Sequence, residues 1–424
     1  MEFVLFALIV AAAFAPIEAL TIAMVLIVLF AFVDPFRPSR EPIFLGASYF
    51  AVILLAGLVG AAHNGAYEAA KDVWYVGNAV LTLQTGHILA SRTKNMESAL
   101  RTVVIAAGVV AVIHICMFVY QAPDLEESVV DLRAQMGAGY LISALGIAVI
   151  ANASYFQIPI FRSRIWGAVL ILPCLASVVL SLSRTLWVAT ATLVLLPRLF
   201  KDVRYLKYAL YVLVLVMVLL LTGVGLTVTG SEIAGDDTFV EKVVGTLAEL
   251  GASDYDSIDA INHRWRGFEA YRALQEFASG TPVNYAVGKG FGRNIDLGFT
   301  MVLADEEFDK IPILHNGYLY LLVKTGIIGV GVYLLYLRRV FLTGGELMES
   351  RSQRHRFVGA WLVVLVAFLL ESTLVIAGVF NKYWVYPATL LTGLLTGYAQ
   401  SMIGVPERRS AVPSVGGAPL IPSR

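Results

Sequence analysis

The chain has 424 residues, 58% hydrophobic and only 15% charged, with 31 basic and 31 acidic side chains and a mean hydropathy of +0.75. Soluble domains carry about a quarter charged residues, so the composition excludes an ordinary soluble enzyme, and a net charge of zero gives no bulk attraction for nucleic acid. The two cysteines, Cys116 and Cys174, lie inside apolar blocks, where lone thiols pack and neither a disulfide framework nor a metal site follows.

The apolar residues fall in long blocks, each a candidate membrane helix because backbone groups in lipid must be satisfied within the segment. Met1 to Ala15 has Glu2 as its only early charge where a signal peptide would have a basic start, so it reads as a short first membrane helix. In chain order the expected spans are 3–15, 17–33, 43–62, 73–90, 99–121, 138–154, 165–183, 185–200, 205–229, 313–338, 356–377 and 383–403. The seventh and eighth are separated only by a tight turn at Ser183-Arg184. The fold expected is therefore an all-α polytopic membrane protein of about twelve transmembrane helices. Its organisation would be helices 1–9 over residues 1–229, an outer helical loop domain over 230–312, helices 10–12 over 313–403 and a disordered cytoplasmic tail over 404–424.

Orientation follows from the basic residues in the short connections. With the N-terminus cytoplasmic, Arg92, Lys94, Arg101, Arg162, Arg164, Arg351, Arg354 and Arg356 all fall inside, along with most other basic connection residues; the short outer connections hold only Lys71, Arg133, Arg184 and Lys382. Both termini are then cytoplasmic, and the long loop between helices 9 and 10 faces outward, into a periplasm in a Gram-negative cell. Within it, Val240–Leu250 and 258–278 have helical spacing, the latter with Ile258, Ile261, Trp265, Phe268 and Tyr271 as an apolar stripe. No internal repeat is visible, which disfavours transporter folds built from duplicated halves.

Polar residues of chemical interest gather at the outer edge. His315 follows Pro312 at the start of the tenth span, where the free N–H groups and positive dipole end of a helix favour anions. A neutral imidazole there can take a proton from a hydroxyl; the alternative is an interfacial histidine that caps the helix. Arg184, in the turn Leu182-Ser183-Arg184-Thr185, is either a fork for phosphate oxygens or an anchor that snorkels to water. Arg264 and Arg266 stand two residues apart on the loop helix, diverging by about 200°, so they cannot both aim at one small site unless the helix is irregular there. Gly288-Lys289-Gly290-Phe291-Gly292 reads as a turn returning the loop to the membrane, without the strand and helix of a dinucleotide fingerprint. Asp236-Asp237 and Asp254-x-Asp256 are acidic pairs that read as solvated loop. Lys324 and Glu371 are ionisable residues expected at membrane depth and are expected to pair with each other.

The long outer loop before a span opening His315-Asn316-x-Tyr318-Leu319, with Gly326 and Gly329 following, resembles the O-antigen ligase and polymerase superfamily. The Ser183-Arg184-Thr185 turn and the stretch Arg264-x-x-x-Phe268 leading to Gly288-x-Gly-x-Gly292 are similar to that family's motifs. The sequence departs from the pattern at Lys324, often acidic in relatives, and at Phe268, often Trp. The resemblance implies a membrane glycosyltransferase of the GT-C type, with no cofactor, no metal and inversion at the transferred sugar. Its donor would be a polysaccharide on undecaprenyl pyrophosphate and its acceptor, in the ligase branch, a hydroxyl of lipid A–core. His315 would activate or orient that hydroxyl. Arg184 and Arg264 would hold the departing pyrophosphate, with Arg266 and Asn316 as further contacts to it. The alternatives are a polymerase joining lipid-linked repeat units and, from a different class, a lipid or polysaccharide transporter, for which midplane charges are few.

Overall fold

The computed structural model describes residues 1–33, 43–121, 140–199, 261, 265–303, 306–380 and 384–403. Among these, the chain forms thirteen α-helices and one two-stranded sheet. Helices α1 (Glu2–Phe14), α2 (Ile17–Val33), α3 (Ala47–Val59), α4 (Ala66–Arg92), α5 (Met96–Gln121), α6 (Leu141–Tyr155), α7 (Arg164–Leu180) and α8 (Arg184–Leu199) make the first part of the bundle. After them come α9 (Trp265–Ala278), α10 (Pro282–Val287), strands β1 (Ile295–Leu303) and β2 (Glu306–Ile311), and helices α11 (Gly317–Met348), α12 (Gln353–Ile376) and α13 (Tyr386–Ile403). Three helices, α5, α11 and α12, are long and apolar enough to cross a membrane, and six others are shorter apolar helices. The expected span 205–229, the helix at 240–250, the two acidic pairs and the tail from Gly404 lie outside the described residues.

α4 has the length of a span, 27 residues, but low hydropathy. Its polar residues Asp72, Asn78, Thr82, Thr85 and His87 are buried, so they face other helices. α13 lies along it in the same direction. Gly86 of α4 sits against the Leu390 carbonyl and Gly393 of α13 against the Leu83 carbonyl, so a Cβ at either position would overlap backbone. Small residues that let two backbones meet in this way are a usual device of helix packing in lipid. At the far end Thr93 and Tyr398 share a hydrogen bond of 2.5 Å. α7 turns Ile165, Trp166, Val169, Leu172 and Val179 outward, all exposed, an apolar belt that water would disfavour.

Side-chain links sort the helix ends onto two faces. On one, Arg354 pairs with Glu97 at 2.7 Å, Arg101 donates to the Ile160 carbonyl at 2.7 Å, and Glu2 accepts from the Lys94 backbone at 2.9 Å. The opposite face carries the α9–β2 segment, His315 and the end of α12, whose Ala377 N–H donates to the His315 carbonyl.

Two expectations are corrected. The segment before α11 is not purely helical: β1 and β2 form an antiparallel hairpin, with a bulge between Asp296 and Met301. Ile295, Leu297 and Phe299 alternate with polar or small residues, the period of a half-buried strand, and Leu297 packs with Ile261 and Phe268 in a small cluster of their own. The second correction concerns α11, expected to end at 338. It runs on to Met348 through Arg338 and Arg339, which are good helix formers and do not stop a helix.

Candidate functional site

The face with His315 is built around a break in α11. Gly326 has φ +65° and ψ −165° inside the helix, which leaves the carbonyls of the preceding turn without their usual i+4 donors. The glycine turn supplies the missing donors. Lys289 N–H donates to the Val323 carbonyl at 2.8 Å and Gly290 N–H to that of Lys324 at 3.1 Å. Phe291, fully buried, donates from its backbone to Gly57 of α3 at 2.7 Å, and Asn64 holds the Lys289 and Phe291 carbonyls, each at 3.0 Å. A Cβ on Gly290 would overlap the Gly60 backbone, so only glycine can bring the turn this close. The stretch expected as a returning turn is thus a wedge between α3, α4 and α11.

Asp72 of α4 closes the wedge. Its carboxylate accepts from Gly292 N–H at 2.6 Å, Tyr320 O–H at 2.8 Å and Lys324 Nζ at 2.7 Å. Both charged side chains of the pair are 2% exposed. The pairing expected between Lys324 and Glu371 is therefore not formed. Glu371 instead accepts from Thr192 of α8 at 3.3 Å.

On the loop side the wedge grips α9. Lys289 Nζ and Arg293 Nη2 each lie 2.7 Å from Glu276 Oε1. Burial pushes the Glu276 carboxyl upward, but the hydrogen bonds and charges of Lys289 and Arg293 outweigh it and hold the group below its ordinary value of 4.5. A carboxylate depressed on folding contributes stability that is present above its unfolded value and lost as pH falls through the folded one. The protein should accordingly outlast Glu276→Gln in thermal unfolding at about pH 7, and the gap should shrink as the pH falls below 4.5. A gap that persists in acid would show that the ion pairs do not hold the wedge.

His315 stands two residues before α11, with its side chain 49% exposed. Its Nδ1 lies 2.8 Å and 3.1 Å from the two carboxylate oxygens of Glu269, and its backbone N–H donates to the same side chain at 3.3 Å. Glu269 is 5% exposed and comes from α9. A proton on Nδ1 given to Glu269 leaves the lone pair on Nε2 for an incoming hydroxyl. Sequence reasoning missed Glu269. It is the acid directly after Phe268 of the apolar stripe, and its burial is visible only in the fold, where a carboxylate on the inward face of a helix needs a partner.

The other expected site residues divide. Asn316 is the N-cap of α11: its side-chain oxygen accepts from Tyr318 N–H at 3.0 Å and Leu319 N–H at 3.2 Å, so two of the N–H groups expected to face an anion are already occupied. Arg266 lies half-buried in the first turn of α9. Arg264 lies outside the described residues, and only the backbone of Arg184 is described. That backbone opens α8 directly after Ser183, whose hydroxyl accepts from Leu186 N–H at 3.4 Å and whose carbonyl accepts from Trp187 N–H at 3.0 Å. The turn is as tight as expected, with Leu182 at φ +48°. α8 packs on α12 through Thr192 and Glu371, and its last turn bonds through Arg198 to the Ala151 carbonyl near the end of α6 that leads to Ile160, so its start lies toward the opposite face, with His315. No protein-family model matches the chain, and no curated protein matches it.

Proposed function

We propose that the protein is a glycosyltransferase of the O-antigen ligase type, a multi-pass protein of a bacterial inner membrane that works on the periplasmic side. It transfers a polysaccharide from undecaprenyl pyrophosphate to a hydroxyl of lipid A–core. The observation that carries this reading is the His315–Glu269 pair just before α11: a half-exposed imidazole whose Nδ1 is engaged by a buried carboxylate, which leaves Nε2 outside that pair. Such a group suits the removal of a proton from an alcohol. The motif resemblance around His315, Ser183-Arg184-Thr185 and Gly288–Gly292 supplies the substrate class.

In this reaction Nε2 of His315 takes the acceptor hydroxyl's proton as its oxygen attacks the anomeric carbon. The bond from that carbon to the pyrophosphate oxygen breaks, the configuration inverts, and undecaprenyl pyrophosphate leaves. Arg184 and Arg264, with Arg266 close by in the chain, are the cations that would neutralise the charge growing on the leaving group, an interaction stronger in the transition state than before it. Neither a cofactor nor a sugar nucleotide is required, because the energy is stored in the donor's bond between the anomeric carbon and the pyrophosphate.

Deletion of the gene followed by silver-stained lipopolysaccharide gels and a blot for lipid-linked glycan tests the assignment. Loss of long-chain lipopolysaccharide with long glycan accumulating on the carrier is the expected result. Lipopolysaccharide capped with a single repeat unit would reassign the protein as a polymerase. Unchanged lipopolysaccharide would reject lipid A–core as the acceptor and reopen the transporter reading.

A further inference from the structure

We infer that Glu269 is a positioning residue for His315, holding its imidazole in the Nδ1–H tautomer, and that the loop domain delivers it, so that the base is complete only while α9 is docked on α11. This rests on the reading of His315 as the base.

An ionised carboxylate only accepts hydrogen bonds. Glu269 is 5% exposed, and among the described residues its donors come from His315 alone, the ring and the backbone N–H. Leaving a buried carboxylate without donors is costly, so the proton of the neutral ring is held on Nδ1. Free imidazole side chains have no such constraint, and the proton can sit on either nitrogen. The pairing therefore selects the tautomer with Nε2 free. The side chain is 49% exposed, so the ring whose Nε2 is left unprotonated is open to a substrate.

The two partners belong to different parts of the chain, 46 residues apart. Glu269 and Glu276 are seven residues apart on α9, two turns of helix, and so share one face. Glu269 meets His315 at the start of α11. Glu276 meets Lys289 and Arg293 of the wedge, whose backbone is bonded to Val323 and Lys324 just before the α11 break. α9 is thereby held at two points along the first segment of α11, and its register against that segment sets the Glu269–His315 distance. A slip of one residue on α9 would carry the carboxylate about 100° around the helix and away from the ring.

The test uses the full chain in lipid nanodiscs with ¹⁵N-labelled histidine, His315 being assigned among the six histidines by its loss in His315→Gln. In the wild type, the His315 signals should show a protonated Nδ1 and an unprotonated Nε2. In Glu269→Ala the Nε2–H form should gain, and transfer measured with purified lipid-linked glycan and lipid A–core should fall by about 100-fold or more. Glu269→Asp, which keeps the carboxylate, should recover part of both. A dominant Nε2–H form in the wild type would overturn the inference whatever the variants do, and needs no altered protein to fold. An unchanged tautomer in Glu269→Ala would overturn it equally. If the tautomer responds as expected while even the wild type transfers no glycan, Glu269 keeps its positioning role and it is the proposed reaction that fails.

Discussion

Lys324→Ala should cost the folded protein about 3–5 kcal/mol, the usual penalty for removing one partner of a buried ion pair. Asp72 would be left 2% exposed, with Tyr320 O–H and Gly292 N–H as its remaining donors. Asp72→Ala should cost as much, because it strands the ammonium and also unties the Gly292 backbone from α4. The double variant should be destabilised by less than the sum, with about 1–3 kcal/mol of coupling, since the second change removes a charge the first had already orphaned. Unfolding by SDS titration from mild detergent gives these differences directly. Full additivity would mean that the two groups do not share their energy, and the wedge would then be held by its backbone bonds alone. Glu371→Ala supplies the contrast. It sits on Thr192 and not on Lys324, so its effect should add to that of Lys324→Ala.

His315→Gln should reduce glycan transfer by about 10²–10⁴-fold, the range for loss of a positioned general base. Glutamine is the informative replacement. Its amide N–H2 can still donate to Glu269, so the buried carboxylate keeps a partner, but it has no nitrogen able to take a proton. His315→Ala should lose the same activity and in addition about 1–3 kcal/mol of stability, because among the described residues Glu269 is then left with the backbone N–H alone. Equal stability of the two variants would show that Glu269 does not depend on the ring. Wild-type transfer in either would remove His315 from the chemistry.

Long apolar runs made most of the helices legible in the sequence, because a buried helix needs only continuity of apolar surface and internal backbone bonds. The turn at Ser183-Arg184 and the start of α11 at His315 were legible from side chains that cap and break helices. What could not be read were pairings across the chain. Lys324 has acidic residues available on several helices, and nothing local distinguishes Glu371 from Asp72, which is 252 residues away. Glu269 was hidden for a related reason: a single acid beside an apolar stripe looks solvated until its neighbour's identity is known. The β-hairpin was a different kind of miss. Ile295, Leu297 and Phe299 did alternate, but three alternating residues next to glycine also fit an irregular loop, and pairing with Glu306–Ile311 decides between them.

The wedge also orders the events of the protein's birth. Asp72 leaves the ribosome long before Lys324, and the glycine turn emerges between them, yet all three meet at one point. The turn has no complete set of partners until the α11 break has been synthesised, since Val323 and Lys324 supply its acceptors. Helices α3 and α4 therefore wait as a half-built socket, and α9 cannot take its final register until the chain has been made at least as far as Gly326. The Glu269–His315 pair therefore cannot form before α11 has been made, whereas the packing of α12 and α13 comes later still. A nascent or truncated chain that ends before α11 has neither His315 nor the seat that brings Glu269 to it, so such a chain cannot assemble the pair.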